Sequence, residues 1–94
     1  MYQKQSVILT PAQFKKLAFQ AFERDCFRCQ ICGMGTLEEL VPHHIIPRGR
    51  IHLDVLNNIL TACTCHIPLH NGELDVSIDD IIDQYRYRLK EYLP

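Results

Sequence analysis

The chain is predicted to adopt an α+β fold, with a helix near each end and a short-stranded, ligand-rich middle. Three observations predict it. Apolar residues recur at helical spacing towards both ends, glycine and proline break the intervening segment into short pieces, and all five cysteines and all five histidines fall inside that segment. Ninety-four residues make one domain, taken as 1–94, and bury only a modest core. A metal is an expected support at this size.

The first helix is read from "TPAQFKKLAFQAFERD", with Thr10 as N-cap, Pro11 at the first helical position and Gln13 closing a capping box. Its inward stripe is Phe14, Leu17, Ala18, Ala21 and Phe22. Two short strands are expected next, one from "LEELVPHHII" and one from "NILTAC", joined by "PRGRIHLDVLN". A short helix from Cys65 or His66 to Asn71 follows, with Pro68 near its first turn and "NG" as its stop. The last helix is read from "SIDDIIDQYRYRLKEYL", capped by Ser77, with Asp79 and Asp80 in its first turn and Arg88 and Lys90 near its last. Ile78, Ile81, Ile82, Tyr85 and Leu89 make its inward face. Both terminal helices read as packing supports.

The chain has no long apolar run and no secretion leader, so an intracellular, cytoplasmic protein without a membrane span is expected. In a reducing compartment an odd number of cysteines favours metal ligation over a disulfide framework. The net charge of −1 carries no global basic excess of the kind nucleic-acid binding usually shows. Between His43 and His70, however, the only fully charged side chains are Arg48, Arg50 and Asp54, and a bound metal would make that segment electropositive.

Cys29 and Cys32, in "CQIC", have the two-residue spacing that lets one turn aim two thiolates at one ion. Cys63 and Cys65 form a second pair, and the two pairs together predict a shared tetrahedral structural zinc. Cys26 stands three residues before Cys29, as a spare thiol or a substitute ligand. His66 and His70 are four apart, so on a helix they share a face and can chelate one ion. His43 and His44 are adjacent, and neighbours on a strand point to opposite faces. A division of labour follows, one ligating and the other handling a proton.

The order "CQIC", "HHIIP", "NNILTAC", "CHIPLH" resembles the HNH endonuclease family, over Arg24 to about Gly72. That resemblance implies a ββα-metal core carrying a zinc knuckle, here flanked by the terminal helices. It implies His44 as general base, His43, His66 and His70 as ligands of one catalytic ion, and Asn58, with Asn57 as substitute, holding the base in orientation. Cys29, Cys32, Cys63 and Cys65 would hold the structural zinc. Only Thr64 separates the second cysteine pair, where relatives usually have two residues.

The activity implied is metal-dependent hydrolysis of DNA phosphodiester bonds, nicking one strand as a monomer, with a homodimer or a second binding event needed for double-strand cuts. Three imidazoles favour Zn²⁺, Ni²⁺ or Mn²⁺ over Mg²⁺ as the catalytic ion. Arg48 and Arg50 are candidates for phosphate contacts, with solvated loop arginines the equal alternative. His52 has no assigned partner and is read as a surface residue. Phage and mobile elements are among the sources of such domains. A non-enzymatic zinc-binding module for nucleic acid or protein explains the cysteines but leaves His43, His44 and Asn58 without a task. A zinc finger on Cys29, Cys32, His66 and His70 has too long an interval between its pairs.

Overall fold

The computed structural model describes residues 6–33, 36–64, 69, 72 and 76–93, and it is α+β. Helix α1 spans Pro11–Arg24, strands β1 (Val41–His44) and β2 (Ile59–Ala62) pair antiparallel, and helix α2 spans Ile78–Gln84. The register sets His43 opposite Leu60 and His44 opposite Ile59. Pro42 lacks an N–H and is tolerated because a two-stranded sheet is all edge.

Helix α1 starts as its sequence predicts. Thr10 accepts from the Gln13 N–H at 3.2 Å, and the Gln13 side chain accepts from the Thr10 N–H at 3.0 Å. Ala18 and Ala21 of the expected stripe are buried, whereas Phe14, Leu17 and Phe22 are half-covered. The small sheet cannot roof a helix of this length. The helix ends against β2: Asp25 accepts from the Thr61 N–H at 3.0 Å, and the Arg24 guanidinium donates to the carbonyls of Leu56 and Ile59 at 3.0 and 2.6 Å. Gln30 N–H donates to Thr61 O at 2.9 Å, so the outer edge of β2 is occupied.

Immediately past α1, Cys26 and Phe27 both take positive φ, +56° each. Glycine ordinarily serves there, and no glycine signals this reversal. The chain then enters the CQIC turn, closed by a Gly33 N–H to Cys29 O bond of 2.9 Å with Gly33 at φ +76°.

Helix α2 is shorter than its sequence predicts. Ser77 and Asp80 form the capping pair, but the α-helix stops at Gln84 and a 3₁₀ turn takes Arg86–Arg88. In an α-helix, residues two apart do not face each other. Here the rings of Tyr85 and Tyr87 stand 6.3 Å apart and the Arg88 guanidinium lies over both, so the break brings three neighbours together. The expected inward face largely survives, with Ile81, Ile82, Tyr85 and Leu89 buried.

The main core joins Ile45, Ile46, Leu53 and Leu60 to that face of α2 and to Leu69. A smaller cluster gathers Cys29, Ala62 and Cys63, with Ile31 and Val41 packed on it. No helix among the described residues is long and apolar enough to cross a membrane. The short helix expected over 65–71 falls outside the described residues, except for helical, buried Leu69.

Candidate functional site

The sulfurs of Cys29, Cys32 and Cys63 converge, all within 4.8 Å of one another, with those of Cys32 and Cys63 3.4 Å apart. Thiolates sharing a tetrahedral Zn²⁺ at about 2.3 Å stand roughly 3.8 Å from each other, so this cluster is close enough to hold a metal ion. The Cys32 N–H points at Cys29 Sγ at 3.4 Å, the kind of donor that stabilises a thiolate. Cys29 and Cys63 are buried with Ala62 of β2, with Val41 of β1 packed on them, and Cys32 reaches the surface. A metal here ties the segment after α1 to the end of β2, which is a structural task. Cys26, the reserve ligand, is exposed and lies outside the cluster. Cys65, expected as the fourth ligand, is outside the described residues.

Strand β1 ends at His44, so the pair His43–His44 sits where the strand's alternation is about to be released. His43 is 1 % exposed, with both ring nitrogens shielded from solvent. His44 is half-buried, and its ring stacks on Phe14 of α1 at 5.4 Å with the planes 8° apart. His66 and His70, expected to complete a metal set with His43, lie outside the described residues.

His44 has a partner that sequence reasoning missed. Its Nε2 is 2.8 Å from Oδ1 of Asp54, a carboxylate only 3 % exposed. Oδ2 of Asp54 accepts from the Leu9 N–H at 3.0 Å and meets His52 Nε2 at 3.0 Å. An isolated parallel bridge between Val7 and Leu53 fixes this corner, with Asp54 N–H donating to Val7 O at 2.8 Å. His52 is therefore not the unpartnered surface residue expected. It is half-buried, edge-on to His44 at 6.1 Å, and held by the same carboxylate. One signal was in the sequence: Asp54 is the only acidic residue between His43 and His70.

Burial raises the Asp54 pKa, but bonds from His44 and Leu9, with the charge of His52, outweigh it and hold the carboxyl below its usual value. An ionised carboxylate only accepts, so His44 Nε2 carries the proton and the lone pair is left on Nδ1. Burial pushes the His44 pKa down, partly opposed by the Asp54 bond and reinforced by Arg48. The net shift favours the neutral imidazole.

Asn58 is completely buried, and both its amide oxygen and its amide nitrogen are hydrogen-bonded. Its Oδ1 accepts from the Ile46 N–H at 2.8 Å, and its Nδ2 donates to the carbonyls of Leu53 and Ile46 at 3.0 and 3.3 Å. With Ile45 N–H on Asn58 O at 2.8 Å, it locks the chain just past His44 to the start of β2. Asn57 is exposed.

Arg48 and Arg50 are both exposed on the loop after β1. The Arg48 guanidinium lies 5.4 Å over Phe14, on the ring that also stacks against His44. Arg50 pairs with Asp79 of α2 at 2.9 Å.

No family model and no solved structure matches the chain. It is 28 % identical over 69 residues to Anaredoxin from Nostoc sp. strain PCC 7120, an alignment covering 72 % of this chain and 90 % of that protein.

Proposed function

We propose that the chain is a metal-dependent DNA endonuclease of the HNH type, hydrolysing phosphodiester bonds with His44 as the general base. The observation that carries this reading is the bond from His44 Nε2 to buried Asp54. A carboxylate behind an imidazole fixes its tautomer and orientation, the arrangement proton-transfer sites use. Phe14 holds the ring from its face, and Asn58 holds the loop that follows.

In this mechanism His44 accepts the proton of the attacking water at Nδ1, and Asp54 stabilises the imidazolium as it forms. His43, with His66 and His70, would hold the catalytic ion; the thoroughly buried imidazole of His43 suits a ligand. Zn²⁺, Ni²⁺, Mn²⁺ or Mg²⁺ are the candidate ions, and a bound divalent cation supplies positive charge against the phosphate and the departing 3′ oxygen. Arg48 and Arg50 would contact flanking phosphates. The Arg50–Asp79 pair is exposed and weakly held, so a phosphate can compete for it. Zn²⁺ on Cys29, Cys32 and Cys63, with Cys65 as fourth ligand, would brace the fold.

The reading is tested by incubating purified protein with supercoiled plasmid and each divalent ion in turn. Conversion to open circles with Mn²⁺ or Ni²⁺ is expected. Absence of cleavage with every ion would overturn it.

A second reading is favoured by the thiolate cluster together with the similarity to Anaredoxin, whose name is that of a redox protein. In it the chain is a metal–thiolate protein without hydrolytic activity. Tetrahedral thiolate sites take Zn or iron–sulfur groups, and these differ in colour. A colourless zinc protein that nicks DNA supports the first reading. A coloured iron protein inert towards DNA supports the second.

A further inference from the structure

We propose that His44, Asp54 and His52 form a second cation site, for a transition-metal ion such as Zn²⁺, and that an ion there switches the general base off. The switching clause rests on the reading of His44 as base. The site itself does not.

One ligand atom from each of the three side chains lies within 4.8 Å of the others. Both imidazoles aim Nε2 at one carboxylate, 2.8 Å from His44 to Oδ1 and 3.0 Å from His52 to Oδ2. Ligand atoms sharing an ion at about 2.0–2.2 Å stand roughly 2.8–3.6 Å apart. The histidine–carboxylate separations that serve two hydrogen bonds therefore also suit one ion.

The frame around the three is already built. Asp54 is oriented by the Leu9 N–H, and His44 is fixed by strand pairing and by the Phe14 stack. The His52 side chain is 29 % exposed, against 2 % for Asp54, so an ion enters past His52 and keeps positions open to water. Two imidazoles and a carboxylate suit Zn²⁺, Ni²⁺ or Co²⁺ better than Mg²⁺, which prefers oxygen ligands.

The chemistry of occupation follows from proton count. A neutral imidazole has one proton. An ion that takes the Nε2 lone pair of His44 displaces that proton to Nδ1, with no net release from the ring, and exchanges the bond to Asp54 for one to the ion. With Nδ1 protonated, His44 no longer accepts a proton from water.

Zn²⁺ binding is measured on wild type and on His52→Ala, counting metal retained after gel filtration and following the titration calorimetrically. Wild type is expected to take up one more equivalent than the variant, while both keep the cysteine-held ion. Equal uptake with equal affinity overturns the site. Should His52→Ala not fold, ¹⁵N imidazole spectra of wild type titrated with Zn²⁺ decide: Nε2 of His44 and His52 should shift and saturate together, and an unmoved His52 overturns the site. Neither readout requires DNA cleavage, so failure of the nuclease reading is seen separately. Where cleavage is observed, inhibition by excess Zn²⁺ that is relieved in His52→Ala supports the switch, and inhibition that persists in the variant overturns it.

Discussion

Asp54 holds His44 in one tautomer, and an amide at that position offers a donor as well as an acceptor. Asp54→Asn should therefore perturb the pattern in which His44 carries its proton on Nε2, read directly from imidazole ¹⁵N shifts, and lower cleavage with it. Asn58→Ala acts differently. It strands the Ile46 N–H and the carbonyls of Ile46 and Leu53 in a buried loop. At about 1–3 kcal/mol per stranded group, a loss of about 3 kcal/mol or more is expected. For a domain of this size the melting temperature would fall by roughly 12 °C or more. Cys26 makes the opposite case: it sits at φ +56° outside the thiolate cluster, so Cys26→Gly should leave metal content unchanged and stability equal or higher. Metal analysis and thermal melts check both halves of that statement.

At the scale of elements, the contact between the end of α1 and β2 depends on one buried carboxylate. Burial raises the Asp25 pKa, but bonds from Arg24 and Thr61 outweigh it and leave it below the ordinary value. The sign follows from linkage: the folded state holds its proton less tightly than the unfolded chain, so this stabilisation is fully present above about pH 4 and is lost as pH falls through the folded pKa. Thermal melts from pH 6 down to pH 2.5 should show that loss, and Asp25→Asn should flatten it. Much of this architecture was legible in the sequence. Thr10, Pro11 and Gln13 mark the start of α1, Ser77 that of α2, and the strands fall within the stretches expected, because caps and glycine or proline breaks are local signals. The break after Gln84 was not, since the helical period of the apolar residues continues through Tyr85 and Leu89 while the backbone turns to 3₁₀ at Arg86–Arg88. Nor was the Asp54 corner, which depends on Val7 and Leu9 meeting a loop more than forty residues away.

Across the whole molecule, two clusters of polar side chains stand on a small core. The sulfurs of Cys29, Cys32 and Cys63 gather beside Ala62 at one end of the sheet, while His44 closes the other end of β1, opposite Ile59. Chelation, or Cys29→Ser, should therefore remove the cysteine-held metal and lower the unfolding temperature, because a domain this small draws stability from such a site. The same change should leave the Asp54 bond to His44 intact in whatever fraction remains folded. The proposed role of His44 as general base is tested most directly by single-turnover DNA cleavage by wild type and His44→Ala at matched metal content and matched circular dichroism. Losing a positioned general base is expected to slow the cut by about 10²–10⁴-fold. Cleavage by His44→Ala at the wild-type rate would contradict the account.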